Sequence, residues 1–162
     1  MVPRVAAAAA LLCAFLGSCA RGSLVLPADG PGRTSNKTEG PCTLAGTWVN
    51  ELGSQMVLSA SNAAGHFSGS YLTAVSASEK PIRASKLKGS HHQTNRRAQP
   101  TFGFTVQWAF SDSTTVFVGQ CFVDASGQET LETTWLLQEE VASRADAWKA
   151  TRIGKNVFHR VK

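Results

Sequence analysis

The chain has 162 residues, of which 43% are hydrophobic and 17% charged, with a formal net charge of +5. Once an N-terminal leader is set aside, that length builds one domain and is too short for two. The positive charges are scattered apart from Arg96-Arg97, which argues against a dedicated nucleic-acid surface, and no apolar run is long enough to span a bilayer.

Residues 1–20 read as a secretory signal peptide: Arg4 precedes an apolar core from Val5 to Leu16, with small residues at Ser18 and Ala20. Leu16-Gly17-Ser18-Cys19 also resembles a bacterial lipobox, but four-residue matches within such leaders are common and this is the weaker reading. Cleavage near Ala20 removes Cys13 and Cys19 and predicts a secreted, extracellular protein. Cys42 and Cys121 remain as an even pair in an oxidising compartment, and a disulfide between them is expected. It closes a loop of ~80 residues, with a stabilisation of ~4 kcal/mol on the chain-entropy model. Two cysteines offer too few ligands for a metal, and the adjacent His91-His92, expected in a loop, is poor metal evidence; no metal site is predicted.

Residues 21–41, rich in Gly, Pro and polar side chains, read as a disordered leader. They hold the sequon Asn36-Lys37-Thr38, a candidate glycosylation site. The domain is expected over 42–162 as a series of short strands. Strands are predicted at Gly46–Glu51, Gln55–Ser59, His66–Thr73 and Ile82–Lys88, punctuated by Gly- and Asn-containing turns. A polar loop over Gly89–Pro100 leads into the run Thr101–Cys121, whose first half alternates without a break. Phe102, Phe104, Val106, Trp108 and Phe110 fall on one face, and Gly103, Thr105, Gln107 and Ala109 on the other. Ser111-Asp112-Ser113 supplies a turn, and a further strand runs from Thr114 to about Val123. Strands at Gln128–Gln138 and Trp148–His159, with a helical turn at Ser143–Ala147 between them, complete the chain.

Eight strands without a long helical period predict an all-β fold, and hairpin connectivity favours an eight-stranded antiparallel up-and-down β-barrel over a sandwich. A barrel of that size has an interior that side chains fill or that holds one small ligand. Trp48 is expected in the core. Trp108 shares its face with Phe110, and Trp135 shares one with Leu131, Thr133 and Leu137; a core that mixes these with Ser111, Ser113 and Thr115 carries hydroxyls inside. Hydroxyls on an inward face need a partner, so these two faces point to a ligand cavity.

These residues resemble the avidin family of biotin-binding proteins. The resemblance is carried by CTLAGTWVNELGS, GSYLTAVSAS, QPTFGFTVQWAFSDSTTVFVGQCF, TTWLL and DAWKATRIGKNVF, in order across Cys42–Val161. It implies a non-enzymatic protein that sequesters or carries biotin as its bound ligand, with no cofactor, assembled as a homotetramer. On the matching positions it implies that Asn50, Ser54 and Tyr71 donate to the ureido oxygen. Thr73 and Asn156 would accept from the two ureido N–H groups, with Thr115 against the sulfur. Trp108, Phe117 and Trp135 would wall the bicycle, and Trp148 would come from a neighbouring subunit. Leu52, Val75, Ser76, Ala77, Ser78, Phe110, Ser111, Ser113 and Leu137 complete the implied set, most of them along the valeryl chain and carboxylate.

Two departures bear on these implications. Ser76 and Ser78 stand where the family usually has Thr, which keeps the hydroxyl and loses a methyl. Thr134 and Lys155 lie on outward faces where the family usually joins barrel pairs through apolar residues, which implies a weaker secondary interface. The alternative reading is a secreted barrel of this type that binds another small hydrophobic ligand or acts in defence without biotin. A hydrolase would need a nucleophile with a placed base, and none is visible in the sequence.

Overall fold

The computed structural model describes residues 40–92 and 99–162. The signal-peptide segment, Asn36, Arg96-Arg97 and nearly all of the leader lie outside the described residues. Eight antiparallel strands close into a meander barrel in chain order. They are β1 (Gly46–Asn50), β2 (Gln55–Leu58), β3 (His66–Leu72), β4 (Ser85–His91), β5 (Thr101–Gln107), β6 (Ser113–Val123), β7 (Glu129–Glu139) and β8 (Thr151–Arg160). β8 pairs back onto β1, with Val49 opposite His159, so no edge is left unpaired.

Period-two alternation decides which side chains enter the barrel. In β5, Phe102, Phe104 and Val106 are buried while their neighbours are not, as the sequence pattern requires. β6 and β7 pair over eleven positions, from Ser113 opposite Glu139 to Val123 opposite Glu129. The turn joining them is built by Asp124, whose Oδ1 accepts from the backbone N–H groups of Ser126 and Gln128 at 2.8 and 2.9 Å. Gly127 supplies the left-handed residue that turn needs, with φ 82°.

Apolar side chains pack one end of the barrel. Trp48, Met56, Leu87, Val106, Leu131 and Phe158 are almost fully buried there, and Trp48 donates its indole N–H to the Leu44 carbonyl at 2.8 Å. The Arg160 guanidinium lies 4.3 Å from the Trp48 ring and also bonds Glu129 and the carbonyls of Thr43 and Ala45. The Cys42–Cys121 disulfide forms as expected, with Cα atoms 5.9 Å apart, and ties the segment before β1 to β6.

Three strand boundaries differ from the sequence expectation by more than one residue. β5 ends at Gln107, and Trp108, Ala109 and Phe110 lie beyond it, where the Ala109 N–H bonds the Ser85 hydroxyl at 3.0 Å instead of a strand partner. β4 runs Ser85–His91 rather than Ile82–Lys88. Ile82 is exposed, whereas Gly89 and Ser90 pair with both β3 and β5, and His91 pairs with Phe102 of β5 and donates its backbone N–H to the Gly65 carbonyl at 3.0 Å. Their place is fixed by backbone pairing on two sides rather than by side-chain hydrophobicity, and His91 therefore belongs to a strand instead of a loop. β8 begins at Thr151 rather than Trp148. Residues Arg144–Lys149 form a 3₁₀ turn, held by Ser143 Oγ on Asp146 at 2.8 Å and by Lys149 on Asp146 at 2.8 Å.

Candidate functional site

At the opposite end from the apolar plug the barrel encloses a cavity of about 530 Å³. Of the nineteen residues implied by the resemblance, the structure brings eighteen to its wall, and Trp148 is the exception. Trp148 sits on the 3₁₀ turn, is 84% exposed and touches no part of this cavity in the single chain.

The floor is polar. Asn50 ends β1, and its Oδ1 accepts from the backbone N–H groups of Leu52 and Ser54 at 3.1 and 2.8 Å. The side-chain carbonyl being spent on the turn, Asn50 has its NH₂ left to offer. Ser54 Oγ accepts from the Ala74 N–H at 3.0 Å, which leaves its O–H to donate either to Tyr71 or to an occupant of the cavity. Tyr71 descends from β3 beside it. Burial pushes the Tyr71 phenol up to about 12, offset in part by a hydrogen bond with Ser54 and reinforced by the charge of Glu51. It is thus a neutral O–H donor through the whole physiological range. Across the floor, Thr73 Oγ1 donates to the Val75 carbonyl at 2.7 Å and accepts from the Val75 N–H at 3.2 Å, which leaves it one further lone pair as an acceptor.

Aromatic rings form the walls. Phe117 stacks between Phe104 and Tyr71, with centroids at 4.6 and 5.6 Å, and Tyr71 meets Trp108 edge-on at 5.4 Å. Trp108 Nε1 donates to Thr115 Oγ1 at 2.8 Å, which fixes the indole and answers the buried hydroxyl. Trp135 stands opposite Phe117 in register on one side and opposite Gly154 on the other. Its Nε1 is buried and has no hydrogen-bond partner among the described residues.

The mouth is formed by the β3–β4 loop (Val75, Ser76, Ala77, Ser78), the β5–β6 turn and the end of β7. Ser111 and Ser113 share a hydrogen bond at 2.7 Å, and Ser78 Oγ donates to the Phe110 carbonyl at 3.3 Å. Sequence reasoning missed five charged residues at this rim: Lys80, Asp112, Glu139, Glu140 and Arg152. Glu139 was accessible, since it continues the inward series Leu131, Thr133, Trp135, Leu137. Arg152 lies opposite Leu137 in the β7–β8 pairing and bonds Glu139 at 3.2 Å, while Lys80 and Asp112 form an exposed pair at 3.8 Å.

Polar side chains line the floor, inside aromatic walls. Such a site suits a small ligand with a polar head and an apolar body. It presents no placed nucleophile: the hydrogen-bonded His91–Ser61 pair, at 2.9 Å, lies away from the cavity lining. Among the described residues, the group with metal-compatible spacing is Cys42, Cys121 and Glu129, whose sulfurs are already committed to the disulfide.

A closed eight-stranded meander with a ligand-sized polar-floored cavity defines the class, and the sequence places the chain within it. The sequence model of the Avidin family matches residues 38–161, and the chain belongs to that family. It is 51% identical over 132 residues to avidin of Gallus gallus, covering 82% of this chain and 84% of the relative. It is 54% identical over 119 residues to avidin-related protein 3 of Gallus gallus, covering 74% and 78% of the two chains. Among solved structures, a biotin binding protein from chicken superposes with a TM-score of 0.72 at 64% identity, covering 74% of this chain and 98% of that one. Xenavidin gives a TM-score of 0.70 at 46% identity over 74% and 98%.

Proposed function

We propose that this chain is a secreted, non-catalytic protein that binds one biotin per subunit in the barrel cavity. The observation that carries the reading is the floor: Asn50, Ser54 and Tyr71 arranged to donate, Thr73 and Asn156 lying at the same cavity wall. Three donors on one ureido oxygen polarise the urea, and each bond gains strength in a site closed to water. Trp108, Phe117 and Trp135 take the apolar bicycle, each Å² buried contributing about 25 cal/mol. Thr115, already fixed by Trp108, lies against the sulfur. Leu52, Val75, Ser76, Ala77, Ser78, Phe110, Ser111, Ser113 and Leu137 line the course of the valeryl chain to the rim. A closed barrel holds these groups in place before the ligand arrives, which lowers the cost of ordering on binding. Titration calorimetry with biotin tests the reading, and the absence of a saturable site near one per subunit refutes it.

The domain order in this reading is a signal peptide over 1–20, a leader over 21–41 with Asn36 as glycosylation acceptor, and the biotin-binding barrel over 42–162. The assembly is a homotetramer in which Trp148 reaches a neighbouring subunit's cavity. Support comes from the outer faces of β6, β7 and β8, where Val116, Val118, Leu136, Ile153 and Val157 are exposed in the single chain. Thr134 and Lys155 stand opposite one another within that face. A lysine there must reach solvent or find a partner, so one of the tetramer's interfaces is weak.

A further inference from the structure

Glu51 follows Asn50 in the turn after β1, and its carboxylate reaches β8. Oε1 accepts from Asn156 Nδ2 at 2.6 Å, and Oε2 accepts from the Val157 backbone N–H at 3.0 Å. Asn156 is buried and lines the cavity; Glu51 does not line it. An ionised carboxylate only accepts hydrogen bonds, so it can face only the NH₂ end of the Asn156 amide. The carbonyl oxygen of that amide is thereby turned away from Glu51. An asparagine without such a partner exchanges its donor and acceptor ends by half a turn about χ2, a broad and soft torsion.

We propose that Glu51 is a positioning residue that locks Asn156 with its carbonyl toward the ligand, so that the site selects a head group bearing N–H at that corner and rejects one bearing an acceptor there. The inference rests on the biotin-binding reading. The bond from Val157 fixes the carboxylate itself, because β8 cannot move without breaking its pairing to β7. Burial raises the Glu51 carboxyl, but hydrogen bonds from Asn156, its own backbone and Val157, with the charge of His159, outweigh that and hold it below the usual range. Glu51 is therefore ionised, and acceptor-only, at neutral pH. The titratable groups that act on it are His159 on β8 and Tyr71 on β3.

Glu51→Gln keeps the shape and removes the acceptor-only character. A carboxamide can donate to Asn156 Oδ1 and stabilise the flipped amide. The test measures dissociation rates of biotin and of its two cyclic carbamate analogues, each with one ureido N–H replaced by oxygen. It uses the full secreted protein as wild type, E51Q, N156A and the double variant. E51Q is expected to speed biotin loss about tenfold, one hydrogen bond's worth, and to narrow by a similar factor the gap between biotin and one of the two carbamates. In the N156A background, E51Q is expected to add nothing further.

The wild type gives the same readout without substitution. Its preference for biotin over that carbamate narrows as pH falls below the ordinary carboxylate range, because protonated Glu51 can donate. The rim groups Asp112, Glu139 and Glu140 lie at the mouth, where biotin and the carbamates are identical, so their effect cancels in the ratio. An unchanged ratio in both E51Q and acid, or an E51Q effect undiminished in the N156A background, overturns the role of Glu51 while biotin binding stands. A wild type that binds no biotin overturns the reading and the inference together.

Discussion

Gly154→Ala probes the wall of the cavity most cleanly. Gly154 lies in β8 directly opposite Trp135, and the indole lies flat over the missing side chain. A Cβ at this position falls 2.7 Å from Trp135 Cε2 and closer still to Cζ2. Carbon atoms rest at roughly 3.5–4.0 Å, so the ring must retreat by about 1 Å. The ring lines the cavity, so its retreat takes it into the space the ligand would occupy. Overpacking of this kind costs about 1–3 kcal/mol. The expected loss in Tm is roughly 4–12 °C for a domain of this size, at about 4 °C per kcal/mol. If the displaced ring carries the same cost into the complex, biotin dissociates on the order of 5–150-fold faster. Scanning calorimetry and a chase of bound biotin with excess free biotin measure the two effects. Trp135→Phe removes the atoms that the methyl strikes, so Gly154→Ala should be far milder in that background. A G154A variant indistinguishable from wild type in both assays refutes the packing argument.

The chain has a single tyrosine, so phenolate absorbance reports Tyr71 alone. Its ionisation should centre at about 12 in the folded protein, and a midpoint near 10 contradicts the burial described above. Because the folded pKa is raised, the stability it confers is present below the unfolded value near 10 and is lost as pH rises to about 12; Tyr71→Phe should abolish that decline. Replacing Cys42 and Cys121 together by Ser opens a loop of sequence separation 79, and denaturant titration should show a loss of about 4 kcal/mol. Sedimentation at nanomolar protein should reveal partial dissociation of the tetramer, and Lys155→Met should suppress it; a wild-type tetramer that never dissociates contradicts the weak-interface proposal.

The strand pattern was readable because one face of each strand is buried and the other is not, as Phe102, Phe104 and Val106 illustrate against Gly103 and Thr105. β4 was misplaced because Gly89 and Ser90 are held by backbone pairing to two neighbouring strands and His91 by pairing to β5 and a bond to Gly65, a force that leaves no trace in hydropathy. The individual hydroxyls of the floor are uninformative alone, since a serine in a strand or turn has many local roles; their joint spacing with Asn50 and Asn156 carries the resemblance. The rim charges escaped notice for the opposite reason. Lys80, Asp112 and Glu140 sit on loops, where neither periodicity nor spacing assigns a direction. Glu51 escaped because it touches the cavity only through Asn156, 105 residues away in the chain.

The central claim is that the floor and walls form a preorganised biotin site, and stoichiometric calorimetry with biotin tests it most directly. A saturable, enthalpically favourable isotherm with one biotin per subunit is expected, abolished or greatly weakened when Asn50 and Tyr71 are replaced together by Ala and Phe. An absence of saturable heat in a folded protein, or binding indifferent to that double replacement, contradicts it.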